Sequence, residues 1–258
     1  MSIRFYKYQG TGNDFILVDN RDKKISLSTR QVAELCDRRF GIGADGLMLL
    51  EPEAGYDFKM VYYNSDGAES TMCGNGGRCI TAFAQRLGII NGKASFVAVD
   101  GPHDADINDD GTVSLHMQNV TSIETFRDHC ILNTGSPHYI LWSEDVQEED
   151  VVGKGRAIRH QPEFEPKGIN VNFVQRRAGD IYVRTYERGV EDETYSCGTG
   201  VTAAAIASVG DKTGNFSIDI ETPGGMLNVS FTKTGPASAR NVVLTGPATF
   251  VFEGEVEI

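Results

Sequence analysis

The sequence predicts a strand-dominated α+β protein built as two pseudo-symmetric halves. Short segments rich in β-branched and aromatic residues recur along the chain, separated by Gly, Asn and Asp turns, as in YDFKMVYYN, DIYVRTYE and ARNVVLTG. Only a few stretches carry helical spacing. The pattern E-x-x-x-C-G-x-G also occurs twice, in AESTMCGNGGRCITAFA (68–84) and EDETYSCGTGVTAAAIA (191–207), each time opening an apolar run.

The elements follow in chain order. SLSTRQVAELCDRRFG reads as a helix with Ser28 and Gln31 in capping-box positions and Gly41 as its stop. GIGADGLMLLE then gives a turn and a strand. Helix, glycines, strand is the reverse of the strand–glycine–helix order of a dinucleotide fingerprint, which argues against nucleotide binding there. YDFKMVYYN is the next strand. After Cys73, the residues Ile80, Phe83, Ala84 and Leu87 form a buried helical stripe that ends at Gly88. SFVAVD, TVSLHM, INVNFVQ and DIYVRTYE read as strands. The run after Cys197, through Val201, Ala204, Ala205 and Ile206 to Gly210, is small or β-branched throughout, as expected of a helix surrounded by sheet. SIDIE, MLNVSF, ARNVVLTG and ATFVFEG complete the strands.

The repeat sets the domain organisation. Cys73 and Cys197 are 124 residues apart, and the same offset pairs Glu69 with Glu193, Tyr62 with Tyr186 and Gly101 with Gly225. Upstream, Thr11-Gly12-Asn13 matches Thr134-Gly135-Ser136 at an offset of 123. The expected halves are 1–118 with Cys73 and 119–258 with Cys197, the last strand free to pack back on the first half.

Composition bounds the function class. The chain has 258 residues, 40% hydrophobic and 23% charged, and a net charge of −12 with no run of lysines or arginines. That is a soluble globular composition, unsuited to nucleic acid or an anionic membrane. The N-terminal MSIRFYKYQG lacks a signal-peptide pattern, so a cytoplasmic location is expected. The five cysteines include no C-x-x-C pair and no histidine at zinc spacing, which argues against structural zinc or a disulfide framework. Cys36, Cys79 and Cys130 read as core thiols.

Cys73 and Cys197 read differently. A cysteine beside a helix N-terminus has its thiolate favoured by the dipole, and the glycines after it keep the first-turn N–H groups open to an anion. Were the halves to meet about a pseudo-twofold axis, two such thiols could take a proton from one face of a carbon and return one to the other. Helix N-termini aimed at the neighbouring carboxylate would stabilise the enediolate-like intermediate. Glu69 and Glu193 receive no role, since a carboxylate opposes thiolate formation.

CGNGGRC, YERGVEDETYSCGTG and GTGNDFILVDN resemble the motifs of the diaminopimelate epimerase family, and the resemblance covers essentially the whole chain. It implies halves that each wrap a mostly antiparallel sheet around a central helix, an active site in the cleft between them, and conversion of L,L- to meso-diaminopimelate by a homodimer without pyridoxal phosphate or any other cofactor. By the same resemblance, Cys73 and Cys197 are the two bases. Gly74 with Asn75, and Gly198 with Thr199, donate to the reacting carboxylate. Asn13, Asn64, Asn170, Glu187 and Arg188 take the distal amino-carboxylate, and His138 lies near the reacting centre with Ser136 beside it. Two positions depart from the family: many members have Asn where this chain has Ser136, and some have glutamine at Gly46. Alternatives within the fold are racemisation of proline or hydroxyproline, where Cys-Gly-His would replace Cys-Gly-Asn, and a phenazine-type isomerase, whose catalytic position is acidic. From another class, a metabolite-binding protein with a redox-sensitive thiol pair would not exchange a substrate α-hydrogen.

Overall fold

The computed structural model describes residues 2–258. The chain forms two compact units, 2–115 with Gly246–Ile258, and His116–Thr245.

The first unit contains β1 (Ser2–Gly10), β2 (Asn13–Asp19), α1 (Thr29–Cys36), β3 (Gly46–Glu51), β4 (Phe58–Asn64), β5 (Glu69–Ser70), α2 (Gly74–Arg86), β6 (Lys93–Ala98), β7 (Gly101–Ile107) and β8 (Val113–His116). The second contains β9 (Ile123–Thr125), β10 (His129–Asn133), β11 (Pro137–Trp142), α3 (Val151–Arg159), β12 (Asn170–Arg176), β13 (Asp180–Glu187), β14 (Asp192–Thr194), α4 (Gly198–Ser208), β15 (Gly214–Thr222), β16 (Gly225–Gly235) and β17 (Ser238–Gly246). The last strand, β18 (Thr249–Glu257), returns to the first unit and pairs antiparallel with β1.

The strand plan is the same twice. A hairpin (β1–β2, β10–β11) leads to a parallel pair (β2–β3, β11–β12), an antiparallel pair (β3–β4, β12–β13), a second parallel pair across the helix (β4–β6, β13–β15) and an antiparallel pair (β6–β7, β15–β16). This is the expected α+β architecture. The β1–β2 and β10–β11 hairpins and α3 lie outside the segments named from sequence.

Each helix after a cysteine is the core of its unit. α2 buries Cys79, Ile80, Phe83 and Ala84 and touches β1, β2, β3, β7 and β18. α4 has no polar face at all: Val201 to Ala207 are all buried, and it touches β10, β11, β12, β13, β15 and β16. A helix apolar all round needs cover on every side, and the curled sheet supplies it. Each fully buried valine or isoleucine on it contributes ~1.5–3 kcal/mol.

Two sequence expectations are corrected. α1 has its capping box, Ser28 Oγ with the Gln31 N–H and Gln31 with the Ser28 N–H, but it ends at Cys36 rather than at Gly41. The Asp37 carboxylate accepts from the Arg39 and Phe40 N–H groups at 2.7 Å, an alternative to helix that stops it early. Tyr62 does not correspond to Tyr186. Tyr62 lies opposite Met48, and the residue opposite Asn172, the partner of Met48 in the other unit, is Thr185. A slip of one residue moves a strand side chain to the other face. Tyr186 accordingly points outward, onto Gly155 of α3.

Candidate active site

In the first unit Cys73 is the N-cap of α2, in extended backbone (φ −95°, ψ 134°), and its side chain makes no capping bond. The first bond inside the helix, from the Gly77 N–H to the Cys73 carbonyl at 2.7 Å, leaves the N–H groups of residues 74 to 76 with no acceptor within the helix. The half-buried thiol donates to Asn13 Oδ1 at 3.6 Å, and Asn75 Nδ2 donates to the same oxygen at 3.3 Å.

Asn13 is itself oriented. Its Nδ2 donates to Asp45 Oδ2 at 2.7 Å, and a carboxylate can only accept, so Oδ1 must face the sulfur. Arg38 binds Asp45 and forks onto Asp14, which also pairs with Lys7 at 2.8 Å. Burial alone would raise the Asp14 carboxyl, but the two cations hold it well below the usual carboxylate range. Asn64, at the end of β4, lies opposite Gly46, the residue after Asp45, and its backbone closes the turn to Ala68.

Arg78, one turn into α2, was not singled out from the sequence. It is completely buried and donates to Gly74 O, Asn75 Oδ1, Thr11 Oγ1 and Pro247 O, none of them a carboxylate. Burial pushes its pKa down from the ordinary arginine value, yet arginine stays cationic. It adds a fixed positive charge to the helix entrance that carries Cys73. The only sequence signal was its place in CGNGGRC, one helical turn after the first glycine.

In the second unit Cys197 is the N-cap of α4, again extended (φ −115°, ψ 110°) and again without a capping bond. It is 7% exposed, and its sulfur lies 3.5 Å from Thr199 Oγ1. Thr199 Oγ1 lies 2.9 Å from His138 Nε2, and His138 Nδ1 lies 3.0 Å from Asn172 Nδ2. His138 is fully buried, and burial, with Arg188 adding to it, pushes its pKa down to about 3, so the ring is neutral.

A separate cluster forms beside it. Asn170 donates to Ser136 Oγ at 2.9 Å and to Pro137 O at 3.1 Å, and accepts from the Arg188 N–H at 2.9 Å. Arg188 donates to Ser136 Oγ at 3.1 Å and to Lys167 O at 3.2 Å. Asn170 therefore fixes the turn that presents Arg188 and has no donor to spare. Glu187 accepts from Thr194 Oγ1 at 2.9 Å. Glu193 is bound by the Arg184 fork at 2.7 Å on both arms, a structural pair. The other thiols are core: burial pushes Cys36 up to about 11 and Cys79 up to about 12, and Cys130 is raised by burial as well.

The family model for diaminopimelate epimerase matches residues 5–123 and 130–251. The diaminopimelate epimerase of Flavobacterium psychrophilum is 51% identical over 254 residues, covering 97% of this chain and 99% of the relative. That of Chlorobaculum tepidum is 42% identical over 262 residues, covering 96% and 99%. The chain belongs to the diaminopimelate epimerase family. It is an isomerase of the epimerase class. Among solved structures, a Bacillus anthracis protein of the PhzF family shares the fold at a TM-score of 0.75 with 14% identity, covering all of both chains. A hydroxyproline epimerase from Agrobacterium vitis does so at 0.72 with 14% identity, covering 99% of this chain and 92% of its own.

The two departures from the diaminopimelate epimerase pattern have structural counterparts. A Cβ on Gly46 would stand 2.5 Å from Tyr62 Cε2 and 2.6 Å from the Tyr63 carbonyl, so the Tyr62 ring fills the space a glutamine would need. Ser136 keeps a hydroxyl that joins Asn170 to Arg188.

Proposed function

We propose that this epimerase interconverts L,L- and meso-2,6-diaminopimelate in lysine and cell-wall precursor biosynthesis, with Cys73 and Cys197 as its two acid/base groups and no pyridoxal phosphate. The observation that carries the reading is the paired N-cap geometry. Each thiol stands at the entrance of a core helix and is not spent on capping it, and each helix opens with glycines that leave its first N–H groups uncrowded.

One thiolate removes the α-hydrogen while the other thiol delivers a proton to the opposite face, so the stereocentre inverts. The carbanion is viable because the backbone N–H groups of Gly74 and Asn75, and of Gly198 and Thr199, take up the carboxylate charge as it grows. Preorganised donors of this kind are worth about 3 kcal/mol each. Asn13 and Asn64, with Asn170 through the remaining acceptor capacity of its carbonyl oxygen, Glu187 and Arg188, hold the distal amino-carboxylate, Arg188 as the charge-assisted donor. Ser136 and His138 support this arrangement from beside it. The enzyme acts in the cytoplasm as a homodimer.

The test is hydrogen exchange. L,L-diaminopimelate in deuterated water should give meso product carrying solvent deuterium from the first turnover, while unreacted substrate stays largely unlabelled, because the delivering thiol is already equilibrated with solvent. Product retaining the substrate hydrogen would contradict two-base inversion, and absence of exchange would contradict the epimerase reading on this substrate.

A further inference from the structure

The two units provide an internal control. In β11 and β12, His138 lies opposite Asn170, with Asn172 two residues further along; in β2 and β3, Phe15 lies opposite Gly46, with Met48 two residues further. Across the next strand pair, Asn172 faces Thr185 and Met48 faces Tyr62. The same three positions are thus Phe15, Met48 and Tyr62 in one unit and His138, Asn172 and Thr185 in the other, buried in both. The fold is content with apolar and aromatic side chains there. A polar trio in the same place is not a requirement of the architecture, and each of its groups would be costly to bury if left unpaired.

None of its bonding groups is idle. Thr185 Oγ1 donates to Asn172 Oδ1 at 3.0 Å, and Asn172 Nδ2 donates to Tyr139 O at 3.2 Å and reaches His138 Nδ1 at 3.0 Å. A backbone carbonyl only accepts, which fixes Nδ2 on that side, so His138 Nδ1 is an acceptor and the ring proton sits on Nε2. Nε2–H then donates to Thr199 Oγ1, leaving the threonine hydroxyl hydrogen to point at Cys197 Sγ, 3.5 Å away. Gly200 makes room for this chain: a Cβ there would stand 2.3 Å from Asn172 Oδ1 and 3.3 Å from both Cys197 Cβ and His138 Cε1. At the matching glycine, Gly76, the nearest atom is Met48 Cε.

We infer that Asn172 is a positioning residue which, through the tautomer it imposes on His138, commits the Thr199 hydroxyl to donate a hydrogen bond to Cys197. The inference rests on the acid/base role proposed for Cys197. The donated bond stabilises the sulfur as thiolate; at the position matching Thr199 the first unit has Asn75, which donates to the Asn13 carbonyl oxygen that Cys73 also faces.

Nitrogen-15 NMR of the histidine rings tests the tautomer directly, with His138 assigned by its loss in His138→Gln. The wild type should carry its proton on Nε2; a proton on Nδ1 overturns the inference. In Asn172→Asp an acceptor replaces the donor, the proton moves to Nδ1, and kcat should fall ~10-fold or more with KM within about a factor of two, the scale of one hydrogen bond to a charged group. Thr199→Ser should keep most of kcat and Thr199→Val should lose it to the same extent as Asn172→Asp. An unchanged kcat in Asn172→Asp, or equal activity in the two Thr199 variants, overturns the inference. Should Asn172→Asp fail to fold, the wild-type spectrum and the Thr199 pair decide. The spectrum needs no substrate, so a failure of α-hydrogen exchange in the wild type would remove the proposed reaction without touching the tautomer result.

Discussion

Acidification should destabilise this protein through His138, by an amount the structure allows to be worked out. The ring is fully buried and its pKa is pushed from 6.5 down to about 3 by burial and by Arg188. A group whose folded value is depressed stabilises fully above its unfolded value. That contribution is lost as pH falls, because the unfolded chain takes up a proton that the folded chain refuses. The slope approaches 1.36 kcal/mol per pH unit. Integrated from pH 6.5 to 5.0, where the unfolded ring goes from half to almost fully protonated and the folded ring stays neutral, the loss is about 1.6 kcal/mol. For a chain of this size that corresponds to about 3 to 6 °C in Tm. The assay is urea unfolding at pH 6.5 and 5.0 for the wild type and for His138→Gln, which cannot titrate. The wild type should lose about 1.6 kcal/mol more than the variant over that interval, so that all other titrating groups cancel. Parallel loss in the two proteins would show that His138 is accessible to protons in the folded state, and the neutral-ring argument would fall.

Cys73→Ala and Cys197→Ala should each lower inversion by ~10³-fold or more in both directions, the usual scale of a lost acid/base group; more than a trace of activity in either would refute the two-base assignment. Arg188→Met should raise KM for diaminopimelate by ~10- to 150-fold, the worth of a charge-assisted bond, and steady-state kinetics showing an unchanged KM would remove Arg188 from the distal clamp. Arg78→Met takes the guanidinium bonds from Thr11, Asn75, Gly74 and Pro247, and urea unfolding should register a loss of at least ~2 kcal/mol. Gly200→Ala, driven 2.3 Å into Asn172 Oδ1, should cost stability and kcat together. Gly76→Ala, which meets the swinging ends of Met48 at 2.6 Å and Met60 at 3.4 Å, should be the milder of the two in unfolding and in rate.

The cysteine and glycine pattern was legible because a helix entrance is a local event: N-cap, glycines and apolar run are contiguous in the chain. The α4 helix could likewise be read as enclosed, since a stretch with no polar face has no other stable place. The His138, Asn172, Thr185 and Thr199 chain was not legible. Its members come from β11, β12, β13 and α4, and what joins them is strand register, which one sequence does not display. Tyr62 and Tyr186 show the limit more sharply. Identity at an offset of 124 pairs them, yet β-strand sides alternate, and the slip of one residue sends one tyrosine inward beside Met48 and the other outward onto α3.

That divergence also explains why both halves keep the same glycine for different reasons. Gly76 and Gly200 occupy one position of one scaffold, the third residue of a helix packed against the same strand, and in both the missing Cβ admits a neighbour from that strand. In the first unit the neighbour is a methionine, so the glycine serves packing. In the second it is an asparagine bonded to a histidine, so the glycine serves a polar chain that ends on a sulfur. Duplicated architecture therefore fixes where each thiol stands, at a helix entrance, while the residues one layer behind decide what each sulfur is offered: a carbonyl acceptor at Cys73 and, on the inference above, a hydroxyl donor at Cys197. On the two-base reading each thiol is acid in one direction and base in the other, so these unequal partners would bias which sulfur holds the proton at rest, while either sulfur can still take it.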